Sequence, residues 1–345
     1  MPTPTPPSPS PSPSSGTCPL LRIGAGRRFA MAFPSWATLF FAGMMVVLAA
    51  VEAEAEAGGG SVCFDRMFGF GDSLTDTGNF LLSVPDDFPD PARNLPYGQT
   101  FFGRPSGRYS DGRNLLDFFA EAFGLPYVPP YLGSGDFQNG ANFAVGGATA
   151  LNGSFFRERG VEPTWTPHSL DEQMQWFKKL LPFIAPSETE LNEIMSKSLL
   201  FVGEIGGNDY NHLIVREKSV DELHEIVPNV VGAISSGITD LINLGAKKLV
   251  VPGNFPIGCV PFSPSILCGR PGSTVCPDPS KYISWDGLHF TEASYKVVIQ
   301  GVLGGYAKPP LSEACKGAEF KVSQLHQCTD NPTNTVSYDA LSSFI

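Results

Sequence analysis

Of the five histidines in the chain, one stands in a setting suited to proton transfer. His289 closes the run Trp285-Asp286-Gly287-Leu288-His289, with a carboxylate three residues upstream and Thr291 just behind it. An imidazole with an orienting carboxylate is two thirds of a nucleophilic triad. The other four are weaker candidates. His168 sits in a loop before a helix, His224 on a helix surface and His326 in a polar tail, and nothing fixes a role for His212 behind Asn208-Asp209-Tyr210-Asn211. The third member of a triad is a Ser or Cys at a sharp strand-to-helix turn. No GxSxG occurs, which sets aside the ordinary α/β-hydrolase elbow. Phe70-Gly71-Asp72-Ser73-Leu74 supplies an alternative, with Ser73 in a Gly-initiated turn directly after an apolar run. Taken alone, Asp72-Ser73 reads more simply as a helix N-cap. Ser73 and Asp286 are 213 residues apart, so only the fold can bring them together.

Acyl transfer also needs donors facing the oxyanion of the tetrahedral intermediate, commonly worth ~3 kcal/mol each. Gly146-Gly147 can bring a backbone N–H close to a substrate, because no side chain blocks the approach. Gly206-Gly207-Asn208-Asp209 can offer the Asn208 amide as a neutral donor.

These turns follow apolar runs in a regular way. Met67–Phe70, Phe143–Val145, Leu199–Val202 and Leu249–Val251 are strand candidates. Between them lie helical periods: 111–123, capped by Ser110 or Asp111; a helix through Leu170, Met174, Phe177 and Leu181; Val220–Leu244, bent near Pro228 and closed by Gly245; and a last helix capped by Thr291. Strands alternating with helices predict a parallel sheet covered on both faces, with the site outside the carboxyl ends of its strands. Between Pro261 and Trp285 neither period appears. A loop of about two dozen residues is longer than compact domains usually carry.

The chain has 345 residues and a formal charge of −11, and it has no basic run, which argues against a nucleic-acid partner. Gly and Pro together make up about a fifth of it, part of that in a Pro/Ser-rich opening. Arg22, Arg27 and Arg28 precede an apolar run from Trp36 to Val51, and small residues follow. Basic, apolar, then small is the order of a secretory signal peptide. Sixteen apolar residues fall short of a membrane span, so no stable anchor is expected after cleavage. A transit peptide is the rival account. Residues 1–57 are therefore read as leader, 58–315 as one domain and 316–345 as a polar tail, in a secreted protein. Loss of Cys18 with the leader leaves six cysteines, whose pairing is open among fifteen arrangements. No Cys/His spacing suits zinc. Asn152-Gly153-Ser154 is a glycosylation sequon.

Six segments, taken in order, resemble the GDSL esterase/lipase (SGNH hydrolase) family in its plant secreted form: 70–79, 107–113, 140–148, 206–209, 252–259 and 286–289. The resemblance runs from about Cys63 to Cys315. It implies a three-layer α/β/α sandwich with a flavodoxin-like parallel sheet. It implies ester hydrolysis through an acyl-enzyme without cofactor or metal, on a small-molecule or lipid ester. Ser73 would be the nucleophile, His289 the general base and acid, and Asp286 the residue that orients it. The N–H groups of Ser73 and Gly146, with the Asn208 side chain, would form the oxyanion hole. In one respect the chain departs from the pattern. Roughly ninety residues expected between the 252–261 segment and the Asp-x-x-His block are missing, so one strand and its helices are expected to be lacking. A catalytically impaired, non-enzymatic glycoprotein is the alternative reading. A nucleotide binder has little support, since neither GxGxxG nor GxxxxGK[ST] is present.

Overall fold

A computed structural model describes residues 63–163, 165–254, 273, 275–307, 310–311 and 315. Leader, sequence tail and the junction between Pro261 and Cys268 lie outside the described residues. The elements are β1 (Arg66–Phe70), α1 (Asn79–Ser83), α2 (Leu115–Phe123), α3 (Gly153–Arg157), α4 (Leu170–Ile184), α5 (Glu188–Lys197), β2 (Ser198–Val202), α6 (Gly207–Val215), α7 (Val220–Asn243), β3 (Leu249–Val250) and α8 (Glu292–Gly301).

β1 pairs in parallel with β2, and β2 with β3, with Phe70 opposite Val202 and Phe201 opposite Val250. β1 and β2 are almost wholly buried, as expected of strands covered on both faces. Alternate side chains go to opposite layers. Phe68, Phe70, Leu200 and Val202 join the core that includes Phe143, Phe177 of α4 and Val230 of α7. Met67, Leu199 and Phe201 join the other, with Phe119 of α2 and Tyr295 and Ile299 of α8. The three layers follow from this parity.

The run Phe143–Val145 is not a strand. It lies alongside β1 and shares its hydrogen bonds, Phe143 N–H to Gly69 O at 2.7 Å and Val145 N–H to Gly71 O at 3.2 Å. It meets the sheet through the isolated parallel bridge of Gly69 with Asn142, and the next N–H, that of Ala144, turns to Asn142 Oδ1 at 3.1 Å. A Cβ on Gly69 would come within 2.7 Å of Asn142 Oδ1. Counting this segment, the spatial order is second, first, third, fourth, the start of the flavodoxin-like order. Among the described residues no strand lies outside β3, whose two residues are only half-buried.

The cap of α2 also differs from expectation. Asn114, not Ser110 or Asp111, accepts from the Leu116 and Asp117 N–H groups in a capping box. Asp111 is engaged elsewhere, accepting the Glu292 N–H at 2.7 Å. Thr291 caps α8 as expected, and Ser219 caps α7, which runs unbroken past Pro228. α5 is an unanticipated helix; only Ile194 and Met195 of it are buried, too few for a clear period. A disulfide joins Cys63 to Cys315 across 252 residues, and Cys276 is exposed and unpaired among the described residues. No helix among the described residues is long and apolar enough to cross a membrane.

Candidate active site

Ser73 follows β1 at the carboxyl end of the sheet. Gly71 adopts φ +139°, and a Cβ there would lie 2.5 Å from Thr75 Oγ1, so glycine is needed to start the turn. Asp72 then builds a single tight turn, its carbonyl accepting from the Thr75 and Asp76 N–H groups and its Oδ1 from Leu74 N–H. This lifts Ser73 out of the strand, and its Oγ lies 2.9 Å from His289 Nε2. His289 Nδ1 lies 2.7 Å from Asp286 Oδ2. An ionised carboxylate only accepts, so Nδ1 carries the ring proton and Nε2 is left to accept from the Ser73 hydroxyl. Ser73, His289 and Asp286 thus form one run of hydrogen bonds.

Asp286 is held from four sides. Oδ1 accepts the N–H groups of Leu288 and His289, in a turn made possible by Gly287 at φ +92°. Oδ2 accepts the Tyr97 hydroxyl at 2.7 Å as well as the imidazole. Burial pushes this carboxyl up, but the facing His289 and the donated hydrogen bonds outweigh it and hold it at about 2. The His289 ring is stacked on Tyr109, centroids 4.9 Å apart, and the Tyr109 hydroxyl donates to Asp90 Oδ2 at 3.1 Å.

The expected oxyanion donors are a different matter. Among the described residues the Ser73 N–H has no hydrogen-bond partner and is available. The Gly146 N–H is not: it donates to Asp76 Oδ2 at 2.7 Å. Asp76 gathers three more N–H groups from Gly78, Asn79 and Phe80, and burial nonetheless pushes it up to about 6. What requires glycine at 146 is space, because a Cβ would lie 2.6 Å from the Tyr109 ring. One residue on, the Gly147 N–H has no partner among the described residues. Asn208 stands beside the site, with its amide donating to Asp72 Oδ2 at 3.1 Å and to Ala148 O at 3.0 Å.

A small cleft at Ser73 is lined by Leu74, Glu204, Gly207, Asn211 and Leu288 together with Asp72, Asn208 and His289. Two carboxyls, Asp72 and Glu204, are buried there in mutual contact. Burial and their like charge push Asp72 well up, and burial pushes Glu204 up. Asn254, its amide turned so that nitrogen faces Ile205 O and Glu204 Oε1, accepts from Gly207 N–H at 3.1 Å and ties the 252–254 segment to this corner.

Sequence reasoning missed Tyr97, Tyr109 and Glu204. The other histidines lie apart from the run: His168 pairs with Glu172, and His212 is buried against Trp165. Phe156 is core, while Phe101 and Phe102 lie under the guanidinium groups of Arg113 and Arg108. Asn152 is exposed and caps α3 through its Oδ1. Among the described residues no group of three or more His, Cys, Asp or Glu is disposed to hold a metal ion.

A family model described as GDSL-like Lipase/Acylhydrolase matches residues 67–276. Three Arabidopsis thaliana proteins are similar over most of their length. GDSL esterase/lipase At2g27360 is 36% identical, covering 76% of this chain and 90% of its own. GDSL esterase/lipase At5g45910 is 38% identical, covering 70% and 91%. GDSL esterase/lipase At1g28570 is 36% identical, covering 76% and 90%. The first alignment spans 357 positions, more than the 345 residues of the chain; 76% of 345 is about 262, leaving about 95 positions with no residue of this chain opposite.

Proposed function

The chain belongs to the GDSL-like lipase/acylhydrolase family, and on that premise we propose that it is a secreted serine hydrolase of carboxylic esters working through an acyl-enzyme. The run Ser73–His289–Asp286 carries the reading. His289 Nε2 takes the hydroxyl proton as Ser73 Oγ attacks the ester carbonyl carbon. The same proton then goes to the departing alkoxide as the C–O bond breaks. Water, deprotonated by His289, then attacks the acyl carbon; its bond to Ser73 Oγ breaks, His289 returns the proton to that oxygen, and the acid leaves. Asp286, with no proton to give near neutral pH, fixes the ring and stabilises the imidazolium. The oxyanion is received by the Ser73 and Gly147 N–H groups, with Asn208 joining when substrate displaces one of its present acceptors. Secretion is supported by the leader pattern, the Asn152 sequon and the Cys63–Cys315 disulfide.

A second reading, a catalytically impaired glycoprotein, is favoured by the length of the alignment gap and by the double engagement of the Asn208 amide. Covalent labelling by a fluorophosphonate probe separates the two. Labelling that disappears in Ser73→Ala, with folding intact by circular dichroism, supports the hydrolase. No labelling of folded wild-type protein overturns it.

A further inference from the structure

His289 lies on a short segment that is gripped at both ends by one stretch of chain. Ahead of it, Tyr97 donates to Asp286 Oδ2. Behind it, Glu292 accepts from the Arg113 backbone N–H and Nε and from Thr100 Oγ1, while its own N–H goes to Asp111 Oδ1. The gripping residues are fastened to one another. Gly98 N–H donates to Ser110 O at 3.0 Å and Thr100 N–H to Asp111 O at 2.8 Å. At Gly98, φ is +76° and a Cβ would collide with Arg104 O, so the turn that presents Tyr97 has little room to move.

Tyr97 is 1% exposed, and its ring meets Trp285 edge-on at 5.5 Å. Its hydroxyl and the His289 Nδ1 proton approach the same carboxylate oxygen, each at 2.7 Å. Bonds to an ionised acceptor are short and strong, so two donors on one oxygen share its charge and fix its position. We propose that Tyr97 is a positioning residue for the reaction: it sets the orientation of the Asp286 carboxylate and divides the charge that Asp286 presents to His289. This rests on the hydrolase reading above.

Tyr97→Phe keeps the ring against Trp285 and removes only the hydroxyl. For an aryl acetate, kcat falls about tenfold on losing one charge-assisted hydrogen bond, with KM little changed. The loss falls on kcat because Asp286 Oδ2, no longer fixed by a second donor, holds the His289 ring less precisely. A second readout needs no turnover. The His289 Nδ1 proton resonance shifts between wild type and Tyr97→Phe. Unchanged kcat and resonance would reduce Tyr97 to a packing residue. If wild type neither hydrolyses ester nor labels, the hydrolase reading fails, and the resonance still decides the part played by Tyr97.

Discussion

Gly146→Ala isolates the contact between the second Gly-rich turn and the histidine. The added Cβ would lie 2.6 Å from Tyr109 Cε2, 2.9 Å from its Oη and 3.0 Å from Cζ. Carbon atoms settle at about 3.5–4.0 Å, so the ring has to retreat by about 1 Å. It has nowhere to go without consequence. One face is stacked on His289, and the hydroxyl is tied to Asp90. Backbone strain is not involved, since Gly146 is not among the residues of positive φ. Alanine also keeps the N–H that Asp76 accepts. Moving a catalytic group by about 1 Å costs about 100-fold in rate, and overpacking a core costs about 1–3 kcal/mol. The assay is steady-state hydrolysis of an aryl acetate, paired with urea unfolding so that loss of fold is not counted as loss of chemistry. The expected result is about a 100-fold fall in kcat with a stability loss of that order. Tyr109→Leu in the same background should restore part of the folding free energy by making room. Wild-type turnover in Gly146→Ala refutes the steric account.

Arg113 is wholly buried and bridges the buried Glu292 and the half-buried Glu121, so Arg113→Met takes the shared guanidinium from both carboxylates. A loss of about 3–5 kcal/mol is expected, read from the urea midpoint at constant m; an unmoved midpoint contradicts the clamp. Burial pushes Asp209 from its ordinary 3.8 up to about 7, against the N–H groups of Leu151 and Ala150. Its folded state therefore holds a proton that the unfolded chain releases first. The resulting stability is present below about pH 4 and is lost as pH rises toward 7. Asp76, at about 6, acts in the same direction, whereas Asp286, at about 2, adds stability that is lost only in strong acid. The urea midpoint should drop between pH 4 and 7, and less steeply in Asp209→Asn; equal slopes would count against the assignment.

Much of the scaffold could be read from local pattern. Two-sided burial of β1 and β2 writes itself as continuous apolar runs, and Thr291 marks the start of α8 because its hydroxyl can accept the Ser294 N–H three residues on. Asp286 and His289 stood out by their own spacing, whereas Ser73 came from the family resemblance, because Asp72-Ser73 alone reads as a helix N-cap. What escaped was long-range. Tyr97 and Tyr109 look like ordinary loop aromatics, and only the crossing of two distant turns makes one a partner of Asp286 and the other a floor for His289. Glu204 follows a strand, and nothing local says that it faces Asp72. The Gly146-Gly147 pair marks a turn, but which N–H is free depends on where Asp76 lies. Asp111 looked like a helix cap because its second partner, Glu292, is 181 residues away.

The Cys63–Cys315 bridge sets a condition on biosynthesis. At about 5–20 residues per second, the 252 residues between the two thiols take roughly 13–50 s to make. Throughout that time Cys63 is a thiol without its partner, while β1 beside it already has apolar faces to bury. The bond can close only after α8 has been synthesised. β1 is therefore tied to the chain beyond α8 only once β2, β3 and α8 have all been made.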